Sequence, residues 1–407
     1  MISRRAPGKL FVAGEYAVVE PGRHAVLVAV DRYATVTVTE SEKVTLRTDL
    51  DGGHVLGCLR SGATPGPDAT HGPLIPDTAD GAVPPRFAYV FAAVSVLERL
   101  LAERGIDARP YALDVRAELG STDGRKYGLG SSAAVTVATI DALGEFHDLG
   151  LTVMDRYRLA MLATIAVNPR ASGGDIAAST WGGWVAYSSP DRAEIADLVA
   201  TDGVDTALGK PWPGLSVRTL PTPTSVDLLV GWTGSPASTP ALVAALGNEP
   251  KPTEQQNPAA RHRTPAQHEP PAEPGTEAPV PPAARPRRTR AEFATGSDAC
   301  VQRLVTAIEA DDDAAIRAEI DTARALLLDL DASSGLGIMT PLLHALCEAG
   351  AAVGAAAKPS GAGGGDCGIA IVGRDRAGAA AELTGRWISA GIEPLPLRLH
   401  PFEGDRA

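Results

Sequence analysis

The chain has 407 residues, 44% hydrophobic and 21% charged, which is enough apolar sequence for one large or two medium cores. Its 37 Lys and Arg against 49 Asp and Glu leave a net charge of −12, which repels polyanions in general, argues against nucleic-acid binding and obliges any anionic ligand to meet locally concentrated positive charge. No apolar run spans a bilayer, Arg4, Arg5, Lys9 and Glu15 break up the N-terminal stretch where a leader would be apolar, and Cys58, Cys300, Cys347 and Cys367 form no CxxC pair, so a cytoplasmic protein with reduced thiols and no membrane partner is expected.

In chain order, the first strand signal follows Lys9, and Val26 to Thr39 alternates β-branched and polar residues with the period of a half-buried strand. Asp51 to Pro85, rich in Gly, Pro and Asp, reads as a long loop. Helical spacing of Val90, Val94, Leu97 and Leu101 predicts a helix from Phe87 to Arg104, and Tyr111 to Leu119 returns to alternation. Helices are predicted from Ser131 through Leu143 and from Val153 to Val167, the second stopped by Pro169. Short strand-like runs follow at Trp184 to Tyr187 and Val226 to Trp232, with Trp181, Trp184 and Trp232 expected in the core. Helical patterns recur at Cys300 to Ala310, Ala314 to Leu330 and Pro341 to Ala349, before an apolar strand at Cys367 to Val372. Eleven of the 44 residues from Asn248 to Ala291 are Pro and none is aromatic, so this stretch, including the basic cluster Arg285, Arg287, Arg288 and Arg290, reads as a disordered, solvated insertion. Two domains are expected, 1–220 and 221–407, the second interrupted by 248–291. His24, His147 and His344 stand without ligand spacing and read as satisfied core or surface imidazoles.

Three segments carry chemistry. In Lys126-Tyr127-Gly128-Leu129-Gly130-Ser131-Ser132-Ala133, small residues and two hydroxyls stand where a loop enters a helix, a geometry in which backbone N–H groups and the helix dipole face an anion and a Ser hydroxyl can ligate Mg²⁺. The plainer reading is a glycine turn with a serine cap. The segment is neither a P-loop, since no Lys follows Gly130, nor a GxGxxG dinucleotide fingerprint. In the second, Lys358 to Gly368, five glycines fall in the eight residues from Gly361 and directly precede a strand, which suits close backbone approach to a ligand better than a loose surface loop. The third, Pro7-Gly8-Lys9-Leu10-Phe11, offers a lysine able to stabilise charge on a transferring phosphoryl group, although a lone lysine is ordinarily just solvated.

In this order the three motifs resemble those of the GHMP kinases, and the resemblance covers most of the chain outside the two long loops. It implies an α+β fold of two parts, an N-terminal domain like domain 2 of ribosomal protein S5 and a ferredoxin-like C-terminal domain, with ATP and acceptor meeting between them. Within the superfamily, the stretch Gly14 to Gly22, the Lys126 motif, Gly231-Trp232-Thr233-Gly234 and the ending Gly365-Asp366-Cys367-Gly368 are similar to kinases of 5-phosphomevalonate. Mevalonate kinases usually carry His where Tyr16 stands and lack Asp366. A mevalonate or other alcohol kinase is the alternative, and a non-catalytic metabolite sensor of the same fold a more distant one.

The resemblance implies Lys9 and Asp175 as catalytic residues. It assigns Lys126, Gly128, Leu129, Gly130, Ser131, Ser132 and Ala133 to the ATP phosphates, with Ser132 on Mg²⁺. Tyr16, Arg170, Ser172, Ser360, Gly361, Ala362 and Gly363 would hold the acceptor. Asp175 also reads as a helix N-cap after Gly173-Gly174, and Arg170 equally well as a surface ion pair. The implied ligands are ATP, Mg²⁺ and 5-phosphomevalonate, and the protein a monomer or homodimer.

Overall fold

The computed structural model describes residues 1–49, 53–60, 72–121, 124–235, 242 and 288–402, which build two sheets with helices packed against them. In the eight-stranded first sheet, β1 (Ile2–Ala13) lies antiparallel to the long β2 (His24–Glu40), and β2 also pairs with β6 (Tyr111–Ala117) and β7 (Trp184–Ser188). β8 (Ser216–Leu220) extends the sheet beyond β7. The second half of β2 buries Ala34, Val36 and Val38 in alternation, as its period of two requires, whereas Ala25 to Val30 are buried on both faces because helices cover both.

On one side pack α1 (Ala88–Glu103), α2 (Ser131–Phe146), α3 (Val153–Val167) and α4 (Gly174–Trp181), with α5 (Arg192–Gly209), kinked at Gly203, outside them. α3 has the predicted bounds because Thr152 and Asp155 form a reciprocal capping box and Asn168-Pro169 ends it. The second sheet runs β10 (Ala356–Pro359), β11 (Cys367–Gly373), β9 (Val226–Trp232), β12 (Glu393–Leu395) in spatial order, all antiparallel. α6 (Arg290–Glu309) packs against α7 (Asp313–Ser334) and covers β2 of the first sheet, while α7, α8 (Pro341–Ala352) and α9 (Ala379–Ser389) pack on the second sheet. No helix among the described residues is long and apolar enough to cross a membrane.

Two expectations need correction. The stretch from Asp51 to Pro85 is not one loop, because β4 (His54–Arg60) and β5 (Leu74–Pro76) add to β3 (Val44–Thr48) at the sheet edge, with residues 61–71 outside the described set. Leu56 and Cys58 point inward while Val55 and Leu59 face out, and Arg60 makes two bonds of 2.6 and 3.0 Å to the Glu98 carboxylate on α1. The proline-rich insertion falls mostly outside the described residues, but its last residues do not belong to a linker. Thr289 and Glu292 form a capping box that starts α6 ten residues before Cys300, and Arg288 and Arg290 pair with Asp329 and Glu20 at 3.2 and 2.9 Å. Trp184 and Trp232 are core residues as expected; Trp181 is only partly buried.

His147, just after α2, departs from the satisfied imidazole expected, since it is buried and neither ring nitrogen has a partner among the described residues. Burial first, then the charges of Arg109 and Arg60, push its pKa down to about 4 from the ordinary 6.5, against a smaller opposing effect of Asp148. A depressed histidine is neutral in the folded chain while the unfolded chain takes up its proton, so its contribution is present above pH 6.5 and is lost as pH falls toward 4. The loss runs at up to about 1.4 kcal/mol per pH unit. In denaturant titrations at pH 7 and pH 5, His147→Phe is expected to lose less stability on acidification than the unaltered protein; equal losses would remove His147 from the account.

Candidate active site

Where the two sheets meet, a cavity of about 460 Å³ opens between β1, the N-termini of α2 and α4, and the glycine-rich loop before β11. Lys9 enters it from β1. The strand changes register between Pro7 and Gly8, and a Cβ at Gly8 would stand 2.5 Å from Leu119 and 2.9 Å from the Leu129 carbonyl oxygen, so the backbone passes tightly under the loop. Lys9 donates its backbone N–H to the Leu129 oxygen at 2.9 Å and its ammonium to the Gly128 oxygen at 3.3 Å, with Nζ 5.3 Å from the Phe11 ring centre. A lysine that is 7% exposed is thus held against the phosphate loop instead of being solvated.

The loop owes its shape to two glycines with left-handed φ, Gly128 at 80° and Gly130 at 75°. Gly130 is the N-cap of α2 and provides no side-chain cap, so the first-turn N–H groups are not met by a capping side chain; Ser131 is the first helical residue and not the cap. A Cβ on Gly130 would meet Lys9 Cε at 2.8 Å, and one on Gly128 would meet the Asp366 carboxyl carbon at 2.6 Å. Asp366 itself has φ 52°, and its carbonyl accepts both the Thr233 N–H and hydroxyl at 3.0 Å.

Asp175 is not a helix N-cap, because Gly173 occupies that place at φ 82° and Asp175 lies in the first turn of α4 with Oδ1 accepting the Ile176 N–H at 3.0 Å. Arg170 and Ser172 line the same wall, and the Ser172 carbonyl accepts the Tyr187 hydroxyl at 2.6 Å. Tyr16, with φ 62°, donates its hydroxyl to the Ala362 oxygen at 2.5 Å, and burial raises its pKa well above the ordinary tyrosine value, helped by Asp331 and Glu15.

The cavity therefore brings together Lys9, Tyr16, Lys126, Gly128, Leu129, Gly130, Ser131, Ser132, Ala133, Arg170, Ser172, Asp175, Gly361 and Ala362. It does not include Ser360 and Gly363 in its lining. Ser360 has its hydroxyl committed to Phe11, accepting the N–H at 2.9 Å and donating to the carbonyl at 3.0 Å, and Gly363 is glycine because a Cβ would stand 2.5 Å from the Ile338 oxygen. Sequence reading missed Tyr89, Thr164 and Asn168, which also line the cavity. Burial, followed by the nearby charge of Asp175, raises the Tyr89 pKa, against a smaller opposing effect of the Ser132 side chain. Thr164 Oγ1 is buried without a partner among the described residues. Nothing marked either one, since each occupies an ordinary position on an amphipathic helix.

The family models for the GHMP kinases N-terminal domain and the GHMP kinases C-terminal domain match residues 88–183 and 304–388. Over 403 residues the chain is 45% identical to a phosphomevalonate kinase of Streptomyces sp. (strain CL190), covering 97% of this chain and 96% of that protein. The chain belongs to the GHMP kinase family. Among solved structures, a Listeria innocua protein superposes with a TM-score of 0.80 at 29% identity, covering 99% of this chain and 98% of its own. Streptococcus pneumoniae phosphomevalonate kinase in complex with phosphomevalonate and AMPPNP superposes with a TM-score of 0.75 at 27% identity, covering 98% of this chain and all of its own. The expected GHMP kinase fold, with its N-terminal and C-terminal GHMP domains of mixed α and β structure, is thereby established.

The Gly128–Asp366 contact gives a test of how this GHMP kinase holds nucleotide. Gly128→Ala should weaken binding of a non-hydrolysable ATP analogue in calorimetry by about tenfold or more, equivalent to about 1.4 kcal/mol. Gly22→Ala is the control, because Gly22 has a similar φ of 77° but nothing within 4 Å of the added Cβ. Equal effects would mean that backbone strain, and not the approach of the two loops, is what matters.

Proposed function

We infer that the chain is a phosphomevalonate kinase, transferring the γ-phosphoryl group of ATP to the phosphate of 5-phosphomevalonate to give 5-diphosphomevalonate and ADP. The observation that carries this reading is the match to the Streptomyces enzyme along almost the whole of both chains, and in this chain Lys9, Tyr16 and Asp366 line one cavity. The mevalonate route to isoprenoids follows from the reaction. We further propose that it works in the cytoplasm, as a monomer or homodimer.

In this reaction an oxygen of the acceptor phosphate forms a bond to Pγ while the bond from Pγ to the β,γ-bridging oxygen breaks and ADP leaves. The acceptor's second pKa is about 6, so at neutral pH the attacking oxygen is already ionised and no strong general base is needed. The work left to the protein is to align two anions and offset their repulsion. In the proposed assignment, the first-turn amides of α2 with Ser131 and Ser132 hold the ATP phosphates, and Lys126 adds charge at the loop. Lys9, fixed along that loop by Gly128 and Leu129, faces the transferring group, where a preorganised cation in a dry site contributes more than it would in water. Arg170 and Ser172 hold the acceptor on the α4 side, and Tyr16, Gly361 and Ala362 on the opposite wall.

The hard oxygen donors here, the Ser132 hydroxyl and the Asp175 carboxylate, fit Mg²⁺, which keeps water and phosphate oxygens as its other ligands. When bound, Mg²⁺ would neutralise phosphate charge. Tyr89 lines the cavity with Ser132, and Asp175 supplies the acidic side of the site.

In a coupled ADP-release assay with Mg-ATP, turnover is expected with phosphomevalonate and not with mevalonate or homoserine. Lys9→Met should lower kcat by about 10²- to 10³-fold, the range for loss of one preorganised charge-stabilising donor, with a smaller change in acceptor KM. Turnover on an alcohol would move the activity to a sister kinase, and silence on all three would favour a sensor.

A further inference from the structure

Lys358 is the most deeply buried charged group in the described structure, 0% exposed on β10, and its motif gives it no role when read as sequence. Its ammonium donates to the Glu15 carboxylate and, at 2.8 Å, to the Pro359 oxygen. Glu15 is 5% exposed, stands in the turn after β1, and lines the cavity beside Tyr16, whereas Lys358 lies behind the wall and does not line it. The pair joins residues 343 apart in sequence.

A carboxylate in the wall of a cavity that must accept two phosphate-bearing molecules is an electrostatic liability. The lining carries Lys9, Lys126 and Arg170 against Glu15, Asp175 and Asp366, so its formal charges cancel. In a site of low effective dielectric, one further unit charge at short range changes anion binding substantially. Lys358 supplies that charge from behind and leaves the cavity with a net excess of one cation. A merely structural cross-link would not need ions, since a buried ion pair is often no more stabilising than well-packed apolar residues of similar volume.

We propose that Lys358 is a positioning residue that tunes acceptor binding by neutralising Glu15 from behind the cavity wall, so that a phosphorylated acceptor can lie against Glu15 and Tyr16. This rests on the assignment of that wall to the acceptor under the proposed function. The charge left on the pair ranks the variants: it is zero in the unaltered protein, −1 in Lys358→Met, +1 in Glu15→Gln and zero in the double variant.

The test is the acceptor KM at saturating Mg-ATP for these four proteins, with kcat and the melting temperature of each. The expected order of KM is Glu15→Gln lowest, unaltered protein and double variant close together, and Lys358→Met higher by about tenfold or more, with kcat changing much less. Breaking one side of a buried pair leaves the other charge uncompensated, so either single variant is at risk of failing to fold. The comparison then rests on whichever single variant melts as a folded protein: adding Lys358→Met to Glu15→Gln should raise KM, and adding Glu15→Gln to Lys358→Met should lower it. A merely structural cross-link would instead raise KM in both single variants together, and a spectator would leave all four equal; either result overturns the proposal. Turnover of the unaltered protein on phosphomevalonate is the separate control, because its absence would count against the proposed function and not against the role of Lys358.

Discussion

The arrangement depends on the close approach of two glycine-bearing loops from opposite halves of the chain. Gly128 leaves room for the Asp366 carboxyl group, and Gly130 leaves room for the Lys9 side chain, each at a separation that a Cβ would close to under 3 Å. Around that contact, Ser360 bonds twice to Phe11, Tyr16 bonds to Ala362, and Lys358 bonds to Glu15, so residues 358–366 are fastened to β1 and its following turn. The cavity is the space these contacts leave between the sheets. Its geometry is therefore set by both halves at once, and neither half alone carries a complete site.

The chemistry follows from that constraint. Transfer between two phosphates needs little proton movement and much charge control, and the cavity meets this with a cation laid along the phosphate loop, a helix N-terminus without a side-chain cap, and acidic groups whose charge is countered nearby. The net charge of −12 on the whole chain does not oppose this, because the relevant field is that of the few groups at the cavity and is screened from the rest over about a Debye length.

Much of this was legible in the sequence, and the reasons differ by element. α3 was legible because Pro169 bounds its apolar run, and the phosphate loop because Gly-Leu-Gly-Ser-Ser before an apolar helix combines local backbone freedom with a helix start. β4 and β5 were lost because short edge strands among Gly, Pro and Asp show little periodicity, although Leu56 and Cys58 do alternate with Val55 and Leu59. The start of α6 was missed even though Thr289 and Glu292 spell a capping box, since four arginines and a run of prolines suggested a linker. Ser360 was read as a ligand group from its place in a glycine-rich motif, yet its hydroxyl is committed to a strand 349 residues away, a pairing that no local pattern encodes. The same long-range reason hid Tyr89 and the Glu15–Lys358 pair.

The central claim is that the group phosphorylated is itself a phosphate. Phosphorus NMR of the product formed from phosphomevalonate and Mg-ATP tests it most directly, since it reports which oxygen has received the phosphoryl group. The account predicts loss of the monoester signal and growth of two mutually coupled diphosphate resonances in step with ADP. A second monoester signal, with the original phosphate unchanged, would mean that a hydroxyl is the acceptor and would contradict it.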